Sequence, residues 1–517
     1  MPAASVDSRG ERRLLPADSN QARGLAEHCL DFLVRDPRAI GPATLALLER
    51  FHLDSVGCGV SAVAAGANAP AVLRTEALAC RPAVGTRGAV CLGSARRCLA
   101  AKAVAANSAA VREWDANGTN FGHDPVRGRS AGEFGHNDFY PVAIAAASEA
   151  RLDGHGTLRV MLLIDEIRGR LAEVFALRNH AIDHVHHGAV ACAAAYAAAL
   201  GGTVDQIESA IGMVVAHYVP YRAIRAGQQL SDSKGASAAL AAEVAVTSAG
   251  RALAGFVGPR DVFRNPLALY RRHEPCAAGR SPFDLELGLA GDAFAIREMH
   301  FKLGLYEHQS AGALQAVIDL LAAEPRLARD PGAIRRLRVR VYEPAFSIIA
   351  DPAKRRPATR QSADHSLPFI LAKTLLKARD AAARGDALGW ESLMLLPADY
   401  SATALADPAV ASLIDRMVIE PGGPEYDARY PEGIPASVTI EHAEVGTVGG
   451  GLVLHPLGHA RSDPVRTAAL VDLKFERLVA GAVDDPGQLR ERMRLGGRDA
   501  EEVAELYAFP IHGCDPG

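Results

Sequence analysis

His187-Gly-Ala-Val-Ala-Cys192-Ala-Ala-Ala-Tyr196-Ala-Ala-Ala-Leu-Gly201 runs for fifteen residues without an Asp, Glu, Lys or Arg. Alanine is the best helix former, and its small side chain lets neighbouring helices come close. A helix that is apolar on every face is stable only when other elements cover it. The stretch therefore reads as the central helix of a helical domain. Outward from it, apolar residues recur at spacings of three and four over 42–64, 159–176, 204–216 and 235–254, the periodicity of amphipathic helices. The Ala/Val-rich runs 99–111 and 141–150 read as further buried helices. A large all-helical domain over 20–294 follows.

The pattern changes near 295. Ile296–Lys302, Leu337–Tyr342, Met417–Ile419 and Ala436–Glu441 alternate apolar and polar residues with period two, as half-buried strands do. Helical runs at 309–323 and 366–378 lie between them. The span 295–455 is thus expected to be an α+β lid domain. Helical spacing returns at 464–480 and 487–507, so 456–510 is expected to rejoin the first domain. The predicted fold class is mainly α, a large helical domain with a smaller α+β lid.

A length of 517 residues calls for more than one core. Net charge is −4 with no block of like charges, which speaks against nucleic acid or an anionic membrane as partner. The first twenty residues mix Arg9, Arg12 and Arg13 with Asp7, Glu11 and Asp18, which is neither a secretory signal nor a transit peptide. No uncharged run reaches the length of a membrane span. The eight cysteines form no C-x-x-C pair and sit mostly in apolar contexts, as in a reduced compartment. The expectation is a cytoplasmic protein whose partners are small molecules and other copies of the chain.

Five polar segments interrupt the apolar pattern. Arg112–His136, between two buried helices, offers Asp115, Thr119 and His136, residue types that move protons or orient carboxylates. Asp115 and Thr119 fit helix capping equally well. Asn179–His187 carries four histidines just before the central helix, with His180 and His184 one turn apart. That pattern lacks H-E-x-x-H, so no metal is assigned, and a helix start favours bound carboxylates. An exposed histidine cluster is the plainer alternative. Lys234 stands at the mouth of an Ala-rich helix, with Arg222 and Arg225 nearby, and could simply extend to solvent. Lys302 and His308 flank a strand-to-helix junction. In Arg360–Phe369, Asp364 or Ser366 reads first as a helix cap. The Gly-rich 446–451 run fits no nucleotide motif, and no G-x-S-x-G elbow is present. Pooled, the lysines, arginines, histidines and few carboxylates suit a polyanionic small molecule and proton transfer beside a carboxylate.

Taken in order, these segments resemble the MmgE/PrpD family of 2-methylcitrate dehydratases and cis-aconitate decarboxylases. Leu53–Cys58 resembles its L-D-T-x-G stretch, Arg112–Thr119 its D-F-(D/N)-D-T motif, and Gly135-His136 its G-H-P. Ile182–Val185 is similar to the dehydratase branch, Ser233-Lys-Gly-Ala to W-K-G-x-A, and Lys302–Ser310 to K-x-F-P…H-x-Q-S. Arg360–Phe369 resembles T-R-x-x-A-D-H-S-L-P-Y most specifically, and His455–His459 resembles the closing H-P-x-G-H. The resemblance implies a cofactor-independent, metal-free lyase acting on a small carboxylate, and a homodimer. It implies dehydration of a 2-methylcitrate-like hydroxy di- or tricarboxylate. Decarboxylation of the cis-aconitate type, epimerisation of a dicarboxylate and a non-catalytic ligand-binding relative are the alternatives. It places Asp115, His184, His136 and Lys234 as catalytic residues, with Thr119, Lys302 and His308 binding substrate. Asp115 and His184 would form the acid–base pair. Departures are Ala116, Gly118 and Ser233, a longer loop 120–135 bearing His123, Asp124, Arg127, Arg129 and Glu133, and no tyrosine in 350–356.

Overall fold

The central helix forms over Val185–Ala199, and every residue from Val185 to Ala198 is buried in this computed structural model. The structure describes residues 5–6, 10–120, 122–124, 129–130, 134–225 and 230–514. Helices Gln21–Val34, Tyr140–Ala150, Gly154–Val174, Val204–His217 and Ser237–Leu253 surround the central one. Close approach is built in: a Cβ on Gly188 would stand 2.1 Å from the Phe139 ring. Thr203 starts Val204–His217 with a capping box, its hydroxyl taking the Gln206 N–H while the Gln206 side chain takes the Thr203 N–H.

Twenty-two α-helices against only small sheets among the described residues bear out the expected mainly α class. The 20–294 span is not purely helical, however. Leu285–Gly288 pairs antiparallel with Arg12–Leu15, and Ala89–Val90 pairs with Arg97–Cys98. In the second region, Ile334–Val341 is central to a four-stranded sheet. It pairs parallel with Met417–Pro421 and antiparallel with Ala436–His442, which pairs with Gly446–Gly449. The Gly-rich run thus supplies an edge strand. The inner positions of Ala436–His442 alternate buried and half-buried, the period-two signal read from sequence.

Ile296–Lys302 does not become a ladder strand. Ala295–Glu298 is a short 3-10 turn, and His300 makes a single bridge to Thr119. Ile296, Met299, His300, Phe301 and Lys302 are all buried, so the apparent alternation comes only from Arg297 and Glu298. The run 487–507 splits into Pro486–Met493 and Ala500–Ala504, with Gly496-Gly497 at the break. Helix Pro464–Val479 packs back on Pro42–Ala64, where Lys474 pairs with Asp54 at 2.5 Å and Phe475 fills the space beside Gly57. No single helix among the described residues is long and apolar enough to cross a membrane.

Candidate active site

Helix Ala100–Glu113 ends at Trp114, whose extended backbone turns the chain so that Asp115 projects from the helix end. Asp115 is 1 % exposed. A carboxylate that deep would stay protonated unless cations met it. Here they do. Arg112 Nη1 donates to its Oδ1 at 2.9 Å and Lys302 Nζ to the same oxygen at 2.8 Å. Lys234 Nζ lies 3.6 Å and His365 Nε2 3.1 Å from Oδ2. Burial pushes the Asp115 pKa up, but Lys234, Lys302, Arg112 and His365 outweigh it and hold the group well below the usual carboxylate range.

These partners come from four distant parts of the chain. Lys234 lies on the short helix Asp232–Gly235 and Lys302 on the buried extended segment after the 3-10 turn. Helix Pro464–Val479 secures both segments: Lys474 Nζ donates to the carbonyl of Ala116 at 2.5 Å and to that of Lys302 at 2.7 Å. Arg360 ties the second region down, donating to Glu113 at 2.6 Å and Asp364 at 2.8 Å, with its guanidinium 4.8 Å above the Trp114 ring. Burial raises the Glu113 pKa, an effect Arg360 opposes.

A cavity of about 120 Å³ opens beside Asp115, lined also by Arg112, Arg178, His184, Arg222, Lys234, Glu307, Gln309, Lys354 and His365, with Leu230 and Ile348. Five cationic side chains thus face two carboxylates across one small space. That excess of positive charge matches a ligand carrying two or three carboxylates.

Of the residues singled out from sequence, Asp115, His184 and Lys234 line this cavity, and Lys302 is bonded to Asp115 behind its wall. His184 sits at the start of the central helix, its Nε2 3.8 Å from Asp183. The other three lie elsewhere. Thr119 is buried, its backbone paired with His300 and Gly135. His308 is buried and stacked on His300, with ring centroids 5.3 Å apart. His136 is buried, its Nδ1 3.1 Å from Asp165. Gly118 explains itself: a Cβ there would stand 2.4 Å from His136 Nε2 and 2.9 Å from the Phe51 ring. Loop 120–135 forms paired short strands, Thr119–Asn120 with Phe134–Gly135 and His123–Asp124 with Arg129–Ser130; Arg127 and Glu133 lie outside the described residues.

The histidine-rich segment disperses. His180 pairs with Glu274 at 3.3 Å, His186 bonds the Tyr218 carbonyl at 2.8 Å, and His187 is buried. Among the described residues, the one group spaced to hold a metal is Asp115, Asp364 and His365. Arg112, Lys234 and Lys302 already neutralise Asp115, so that set has little negative charge left for a divalent ion.

His365 is the residue that the sequence argument passed over. Ser366, one of the two caps expected there, starts helix Leu367–Arg384 by accepting from the Phe369 N–H, so Asp364 is not the cap. Asp364 instead contacts His365 Nδ1 at 2.5 Å. Burial, then Lys234, push the His365 pKa down to about 4 against the pull of Asp115 and Asp364. Uncharged at neutral pH, the ring has one N–H for two carboxylate neighbours. A proton delivered to it gains a second hydrogen bond, which suits a proton acceptor. The available sign was the Asp-His pair at the opening of an apolar helix.

Comparison with known proteins agrees with this architecture. A 2-methylcitrate dehydratase of Salmonella typhimurium is 25 % identical over 377 residues, covering 70 % of this chain and 73 % of that protein. A 2-methylcitrate dehydratase of Salmonella typhi is 25 % identical over 472 residues, covering 88 % of this chain and 91 % of that protein. Residues 25–275 match the MmgE/PrpD N-terminal domain and residues 308–495 the MmgE/PrpD C-terminal domain, so the chain belongs to the MmgE/PrpD family.

Proposed function

We propose that this protein is a hydro-lyase that removes water from a hydroxy di- or tricarboxylate of the 2-methylcitrate type without a metal. The observation that carries the reading is Asp115, ionised and ringed by Arg112, Lys234, Lys302 and His365 on the wall of a cation-rich cavity. The two relatives named above support a dehydratase.

In this reading the substrate carboxylates settle against Lys234, Arg112 and the neighbouring arginines. As a C–H beside a carboxylate loses its proton, charge grows on that carboxylate, and the fixed cations stabilise it. The C–H electron pair forms the new C=C bond, the C–O bond breaks, and the hydroxyl leaves with a proton as water. Asp115 and His184 form the acid–base pair, with His365 beside Asp115 taking or returning a proton. A bound polyanion competes for the lysines that hold the Asp115 pKa down, so substrate itself makes Asp115 a better base. Lys302 fixes Asp115 through its 2.8 Å bond.

The test is product analysis with 2-methylcitrate and citrate, without added metal. Net loss of water to an unsaturated acid is the expected outcome. Release of carbon dioxide would identify a decarboxylase, and solvent deuterium exchange without dehydration an epimerase. Binding with no proton exchange would overturn the enzymatic reading altogether.

A further inference from the structure

The chain has seven lysines, and six of them have a carboxylate partner. Lys102 pairs with Glu243, Lys234 and Lys302 with Asp115, Lys373 and Lys377 with Asp399, and Lys474 with Asp54. Lys354 is the exception: among the described residues its ammonium has no ion-pair partner, yet it lines the cavity that holds Asp115.

Its backbone is held in place. The Lys354 N–H donates to the Asp351 carbonyl at 2.8 Å, and its own carbonyl accepts from the Ser366 hydroxyl at 2.6 Å. Ser366 follows His365 directly, so the segment bearing Lys354 is fastened to the segment bearing the imidazole. The ammonium is half-buried, and burial lowers its pKa against the pull of Glu307 and Asp351. Lys234 faces the same cavity from the helical region. Two ammonium groups turned into one small space repel each other until an anion enters between them.

We propose that Lys354 is a specificity-determining residue that binds the third carboxylate of the substrate, across the cavity from Lys234, so that the site selects tricarboxylates over dicarboxylates. The inference rests on the polycarboxylate reading above and assigns one of its contacts. Lys234 is engaged by Asp115, whereas Lys354 has its full charge-assisted hydrogen bond to offer.

The experiment compares citrate with citramalate, which is citrate with one carboxymethyl arm reduced to methyl. Affinities are measured by calorimetry for the wild type, Lys354→Met and Lys354→Arg. The wild type is expected to favour citrate by about 10- to 100-fold. Lys354→Met is expected to weaken citrate to the level of citramalate while leaving citramalate unchanged, and Lys354→Arg to restore most of the gap. A wild-type gap retained in Lys354→Met overturns the assignment and leaves the dehydratase reading intact. Equal weakening of both ligands also overturns it. A wild type that binds neither acid overturns both. Lys354→Gln provides the same comparison if the methionine variant does not fold.

Discussion

Two aspartate–imidazole pairs of equal length, in opposite surroundings, lie among the described residues. His365 Nε2 stands 3.1 Å from Asp115, and His136 Nδ1 stands 3.1 Å from Asp165. The first lines a cavity and shares its carboxylate with Arg112, Lys234 and Lys302, drawn from both regions of the chain. The second is packed against Phe51 and Tyr140, with Tyr140 donating to Asp165 at 2.6 Å, and Gly118 leaves room for the ring. Residue types and distance alone would give the two pairs the same role. Access to a cavity and surplus positive charge distinguish the first pair from the second.

The largest effect should come from Asp115→Asn. Turnover is expected to fall by about 10³-fold, while citrate binds more tightly, because Lys234 and Lys302 lose their internal counter-ion. Steady-state kinetics and calorimetry read the two halves separately, and normal turnover would remove Asp115 from the chemistry.

His365→Gln is expected to cost about 10²-fold in turnover. The wild-type rate should fall as pH drops through about 4, where the imidazole takes up a proton, and that limb should disappear in the variant. The same depression acts on stability. His52, His186 and His365 titrate at about 4 in the fold and near the ordinary 6.5 when unfolded. The unfolded chain therefore binds more protons between those values. Stability is full above 6.5 and declines as pH falls toward 4, by about 1.4 kcal/mol for each unit of depression in each group. Urea titrations across that range should show the slope, and it should be shallower in His365→Gln.

The enclosed pair should answer in stability before rate. Asp165→Asn weakens the bonds to His136 and Tyr140 together and is expected to cost about 2 kcal/mol in denaturation. Its loss of turnover should be well below that of Asp115→Asn; an equal loss would erase the contrast between the pairs. Gly118→Ala should have the smallest effect, about 1–2 kcal/mol of overpacking against His136 and Phe51. Unchanged stability there would mean that the ring has room to move.

Much of the fold was legible because its signal is local. The alanine run at 187–201, the three–four spacing of 42–64 and 204–216, and the alternation of 436–441 each report an environment through neighbouring residues. Ile296–Lys302 misled for the same reason: two exposed positions within a buried segment imitate a strand, and burial on both sides is a property of what packs there. At the site, Asp115, His184 and Lys234 stood out as polar residues at the ends of apolar helices. His365 did not, because a capping role accounted for its segment.

The sequence by itself determined the helical core, the change of pattern near 295 and the family, since periodicity and ordered motifs survive without coordinates. Only the tertiary structure decided which charges meet. Asp115 is a group with its pKa held low because residues 112, 234, 302 and 365 converge on it, and His136 is a packed ring because Gly118 and Phe51 surround it. Electrostatic energy depends on separation and burial in space, and neither follows from separation along the chain.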